Sequence, residues 1–123
     1  MFIAFKCTAG SKDGWGNIFR LKIIFQELKK KIKFNYLFIV NNNLELINYL
    51  KKNKIKYKTF DNFEKEKKFI KDLNIDISII ELLDCKYSIQ KIYKLSSKKL
   101  VNLDDIARKK YISDILFICQ KKK

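Results

Sequence analysis

The residues whose types and spacing could do chemistry lie in one stretch, Lys6 to Arg20, reading K-C-T-A-G-S-K-D-G-W-G-N-I-F-R. Gly10, Gly14 and Gly16 fall inside it, and the chain has no other glycine. Glycine admits positive φ angles and the close approach of another group. An apolar run, Met1 to Phe5, leads in, and an amphipathic pattern beginning near Ile18 leads out. A helix starting there would aim unpaired N–H groups and the positive end of its dipole at the loop, which suits a phosphate or another anion. A strand-to-helix turn that simply needs small residues accounts for the same glycines, so both readings stand at this point.

The elements around the loop follow a regular order. Met1–Lys6 reads as a strand. Ile18, Leu21, Phe25, Leu28 and Ile32 form a helical stripe, with Lys29, Lys30 and Lys31 complementing the helix C-terminus. Phe34–Val40 is a continuous apolar run of strand length, as expected for a strand covered on both faces. Asn41, Asn42 and Asn43 make a turn and offer an N-cap to a helix marked by Leu44, Ile47 and Leu50. Ile55–Phe60 reads as a third strand, and Asp61 or Asn62 can cap a helix carrying Phe63, Ile70 and Leu73. Ile75–Leu82 is a fourth strand, Ser88–Leu95 a fourth helix with Ile89, Ile92 and Tyr93, Lys99–Leu103 a fifth strand and Asp114–Cys119 a sixth. Alternation of this kind argues for a parallel sheet with helices on both faces. Right-handed crossovers then bring the loops at Thr8–Asn17, Asn41–Asn43, Asp61, Leu83–Asp84 and Asp104–Asp105 to one edge.

Composition narrows the function classes. At 123 residues and 47% hydrophobic, the chain is expected to be a single domain with its own core. The formal net charge of +15 invites a nucleic-acid or membrane reading. Yet nearly all of it is lysine, Arg20 and Arg108 being the only arginines, so the arginine forks that read bases and phosphates are scarce. Most of the charge therefore reads as solvated helix faces, and a nucleic-acid role is disfavoured. Cys7, Cys85 and Cys119 are odd in number, far apart and without a C-x-x-C pair, which argues against a disulfide framework and a zinc site. No signal peptide or membrane span is expected, and a cytoplasmic location follows.

Two phosphate-binding fingerprints fail on the loop. Gly14 and Gly16 fit G-x-G-x-x-G, but Phe19 takes the third glycine position, and asparagines stand where an acidic ribose ligand is expected. No G-K-[ST] follows for a Walker A loop. The stretch F-K-C-T-A-G-S-K-D-G-W-G-N-I-F-R instead resembles, without a gap, the opening F-R-x-D-x-G-x-x-x-G-x-G-H-x-x-R of a known family. That family comprises the nucleotide-sugar hydrolases of pseudaminic-acid biosynthesis and the related spore-coat polysaccharide proteins. Gly10, Gly14, Gly16 and Arg20 coincide with its motif, while Lys6, Thr8 and Asn17 replace its arginine, aspartate and histidine. Further along, L-V-N-L-D-D-I-A-R (Leu100–Arg108) looks like the family's I-D-D strand end, and S-D-I-L-F-I-C-Q like the strand after it. Ser78–Tyr87 is similar to its fourth-strand region, with Glu81 where an aspartate is usual.

The resemblance implies a Rossmann-like, three-layer α/β/α domain with a mainly parallel sheet over residues 1–120, followed by a basic tail at 121–123. This would be the N-terminal half of a two-domain glycosyltransferase-B architecture, in which the C-terminal half largely holds the nucleotide. It implies a UDP-sugar, or another sugar or phosphate ligand; no metal and no cofactor are expected. Carried over position by position, Asn17 stands at the catalytic place, and Lys6, Thr8, Gly10, Gly14, Gly16 and Arg20 at substrate-binding places. Asn17 cannot titrate near neutral pH, so it could orient a water or hydroxyl but cannot serve as a general base. The chain has no histidine to replace it, which makes a split enzyme or a degenerate remnant the expected form. Lys12 and Asp13 read as solvated loop charges, and Asp104 and Asp105 as ligand contacts or caps of the next turn. Trp15 could stack on a sugar or pack the loop down. The rival classes are a non-catalytic binding or interaction module on the same sheet and, behind it, a basic nucleic-acid binder.

Overall fold

The computed structural model describes residues 1–11, 14–82, 86–104 and 113–118. Its elements run β1 (Phe2–Cys7), α1 (Gly16–Lys31), β2 (Asn35–Ile39), α2 (Leu44–Lys52), β3 (Tyr57–Lys58), α3 (Phe63–Asp72), β4 (Ile75–Glu81), α4 (Tyr87–Ser96), β5 (Ser97–Asp104) and β6 (Ile115–Ile118). The strands form one sheet in the order β3-β2-β1-β4-β5-β6, and every pairing is parallel. This is the parallel sheet with helices on both faces expected from the alternation, and the fold is of the Rossmann-like α/β class. The order reverses between β1 and β4, the place where ligands of open α/β sheets usually sit.

Side-chain alternation divides the core into two layers. Ile3, Phe5 and Cys7 of β1 meet Ile18, Leu21 and Phe25 of α1 and Leu46 and Leu50 of α2. Ala4 points the other way, to Ile70 of α3 and Ile92 and Tyr93 of α4. Phe5 stacks on Phe38 at 4.8 Å between ring centroids and meets the edge of Phe25 at 5.6 Å. Burying such rings is the main favourable term of the fold.

Local signals placed most boundaries. Asn43 Oδ1 accepts from the Leu46 N–H, and Asn62 Oδ1 from the Lys65 N–H, so both expected asparagine caps form. Lys29, Lys30 and Lys31 occupy the last turn of α1 as expected. Two expectations need correction. The third strand shrinks from Ile55–Phe60 to Tyr57–Lys58, because β3 is an edge strand paired only to β2 through two residues. In α2 the buried residues are Leu46 and Leu50 rather than Leu44, which is 74% exposed. Leu44 is the first residue of the helix, and at 100° per residue it lies on the side away from Leu46 and Leu50. Cys85, Cys119, the Leu83–Asp84 loop and the 121–123 tail lie outside the described residues.

Candidate functional site

The glycine loop is held by its own backbone and by the neighbouring loop. Gly10 and Gly14 exchange reciprocal backbone hydrogen bonds, Gly10 N–H to Gly14 C=O at 3.1 Å and Gly14 N–H to Gly10 C=O at 2.7 Å. Both glycines have positive φ, 141° and 74°, which explains the residue type at each. Asn41, just past β2, clamps Ala9 from both sides: its Oδ1 accepts the Ala9 N–H and its Nδ2 donates to the Ala9 C=O, each at 3.0 Å. Gly10 lies under Asn43, whereas, among the described residues, nothing beyond the chain neighbours stands within 4 Å of a Cβ built on Gly14 or Gly16. Among the described residues the loop is therefore closed on the Asn43 side and open above Gly14 and Gly16. α1 begins at Gly16 without a side-chain cap and without an acidic residue in its first turn.

The expected site residues divide between the two faces of the sheet. Arg20 Nε meets Glu81 Oε1 on the α1 face, and the Glu81 side chain is only 3% exposed against 30% for Arg20. Arg20 thus serves the C-terminal end of β4. Asn17 is buried, with its Nδ2 3.5 Å from the Thr8 carbonyl oxygen, so it ties the start of α1 to the end of β1. Trp15 packs against Phe19 and Tyr49, at 6.3 and 6.4 Å between centroids, which is the second of its two sequence readings. Lys12, Asp13 and Asp105 lie outside the described residues, as does the side chain of Asp104.

Lys6 goes to the opposite face. Its side chain is 8% exposed, and its Nζ donates to Glu66 Oε1 of α3 at 3.0 Å. The second oxygen of Glu66 accepts from the Tyr93 hydroxyl of α4 at 2.9 Å. Three elements are thus joined by a chain of charge-assisted hydrogen bonds. Lys6 and Glu66 form the floor of a crevice of about 360 Å³ at the carboxyl edge of β1 and β2. Its rim includes Asn41 and Asn42, Asn62 at the start of α3, and Lys86 and Ser88 at the start of α4. α4 opens without a side-chain cap and without an acidic first-turn residue. Asn41 belongs to both structures, clamping the glycine loop and lining the crevice.

Sequence reasoning missed Glu66, Asn62, Lys86 and Ser88 as members of one cavity. A charged Glu66 on the otherwise apolar stripe Phe63–Ile70 was the available signal. Among the described residues no group of three or more His, Cys, Asp or Glu side chains could hold a metal ion. Among them, too, no helix is long and apolar enough to cross a membrane.

Cys7, beneath the loop, is not a nucleophile in this setting. Burial, then the nearby Glu81 carboxylate, push its thiol up to about 12 from 9.0, against a smaller opposing pull from Lys6. In a C85S/C119S variant, labelling of Cys7 by a disulfide reagent at pH 8 should proceed only at the rate of unfolding. Labelling as fast as a free thiol would contradict this burial. The sign for stability follows: the unfolded thiol ionises first, so raising pH from 9.0 towards about 12 draws the equilibrium towards the unfolded chain.

Comparison with protein-family models, with curated proteins and with solved structures finds no match.

Proposed function

We propose that this chain is the sugar-binding half of a glycosyltransferase-B-type protein. It takes the sugar and adjoining phosphate of a nucleotide sugar at the carboxyl edge of its sheet. In that architecture the C-terminal half holds the uridine diphosphate. The observation that carries this reading is the polar crevice of about 360 Å³ beside the strand-order reversal, floored by Lys6 and Glu66 and rimmed by amide, hydroxyl and ammonium groups. Few, convergent polar groups in a concavity of this size are typical of small-molecule sites. The volume suits one hexose with a phosphate better than a whole nucleotide sugar. The likeness of the Gly10–Arg20 loop to pseudaminic-acid-type hydrolases supports the ligand class.

Unaided hydrolysis is not part of the proposal. Asn17 stands where those hydrolases have their histidine; it is an amide, and it is buried against the Thr8 carbonyl. The expected activity alone is therefore binding without release of UDP.

Saturation-transfer NMR with UDP-N-acetylglucosamine as probe tests the reading. Saturation should fall on the sugar and acetyl protons more than on uracil. Lys86→Glu should weaken the contact by about 10-fold, the effect of losing one charge-assisted hydrogen bond. Saturation centred on uracil, or no transfer at millimolar probe, would remove the proposal. The rival reading, an interaction module, draws on a different face of the molecule.

A further inference from the structure

The sheet face that carries α1 and α2 is covered unevenly. Ile18, Leu21 and Phe25 of α1 and Leu46 and Leu50 of α2 pack into the layer over β1 and β2. Beside them, over β4 and β5, runs a groove of about 490 Å³. Its walls are Ile24 and Leu28 of α1 on one side and Ile77, Ile79, Val101 and Leu103 of the sheet on the other. Register extends the same face to Ile115 of β6, opposite Val101, and Ile115 is 46% exposed. α3 and α4 pack on the other face, so no described helix covers this half. Parallel sheets are ordinarily covered on both faces.

We propose that this groove seats an acidic amphipathic helix supplied by a partner polypeptide, which covers the part of this face that no described helix covers. The lining from Arg20 to Ile32 follows α1 for about 18 Å, room for roughly 12 residues of a second helix lying alongside. Charge selects the partner. Lys29, Lys30 and Lys31 close α1 at one end of the groove, and Lys98 and Lys99 open β5 at the same edge of the sheet. Glu27, Asp76 and Asp114 pair with Lys30, Lys98 and Lys94, which among the described residues leaves Lys29, Lys31 and Lys99 in excess there. A second copy would bring the same lysines and another net charge of +15 against the first, so self-association is opposed and an acidic helix attracted. The inference does not depend on the ligand reading, because groove and crevice lie on opposite faces.

The probe is a labelled helical peptide of about 14 residues, with leucines at i, i+3, i+4 and i+7 spacing and glutamates elsewhere. Fluorescence anisotropy with the full chain should show saturable binding that weakens as salt rises. A version with lysine for glutamate should bind at least about 10-fold more weakly. The double variant Ile24→Gln/Val101→Thr changes half-buried positions conservatively; with unchanged circular dichroism, it should also lose about 10-fold in affinity for the acidic peptide. Equal binding of the two peptides, or no effect of the double variant, would overturn the proposal. So would a sedimenting dimer that the double variant dissociates, since a second copy would then be the occupant.

Discussion

Arg20→Ala is expected to destabilise the fold by about 2–4 kcal/mol, measured as a shift of the urea midpoint at constant slope. The cause is the group left behind. Glu81 sits at the end of β4 with its side chain 3% exposed, and Arg20 covers it from the first turns of α1. Truncating the arginine removes the guanidinium that accompanies a buried carboxylate, which costs more than the pair itself contributes. The 30% exposure of Arg20 lets water replace part of the loss, which keeps the figure below that of a fully buried pair. Arg20→Leu/Glu81→Leu removes both charges and should recover most of the stability. A single variant as stable as the parent would show that the pair does not hold α1 to β4. Full loss in the double variant would place the effect in packing rather than charge.

The three glycines should rank sharply on conversion to alanine, with Gly10→Ala destabilising by about 2–4 kcal/mol. At φ 141° Gly10 occupies a region closed to side chains, and an added Cβ would lie 2.8 Å from Asn43 Nδ2. Asn43 cannot yield freely, because its Oδ1 caps α2 through the Leu46 N–H. The substitution therefore strains the loop and disturbs a helix cap together. Gly14 has φ 74° but meets no described neighbour within 4 Å of an added Cβ, so alanine there should cost only about 1 kcal/mol of left-handed strain. Gly16 is helical and unobstructed, and alanine should be neutral or stabilising by up to about 1 kcal/mol. Thermal midpoints of the three variants decide the order. Equal losses at Gly10 and Gly16 would mean that the turn tolerates a Cβ anywhere and is not built around its glycines.

The order of losses also bears on the crevice. Asn41 clamps Ala9 next to Gly10 and lines the crevice on its other side. A shifted loop should thus weaken the proposed sugar contact in proportion to the strain at Gly10, whereas Gly16→Ala should leave it alone.

Much of the architecture was determined by the sequence itself, because its signals are local. The stripe from Ile18 to Phe25, the caps Asn43 and Asn62, and the apolar runs of β1, β2 and β4 each declare an element within a few residues. Alternation of those elements then admits few topologies besides a parallel sheet. The edge position of β3 was not legible, since it depends on which strand lies beside which. Nor was the fate of the charged candidates. Lys6 and Arg20 share the opening motif, yet strand alternation and the helix turn it to opposite faces, where Glu66 and Glu81 meet them across some sixty residues of chain. Such partners are chosen by crossover connections and burial, which no short window of sequence encodes. The crevice between the starts of α3 and α4, and the apolar groove over β4 and β5, exist only once the sheet is assembled.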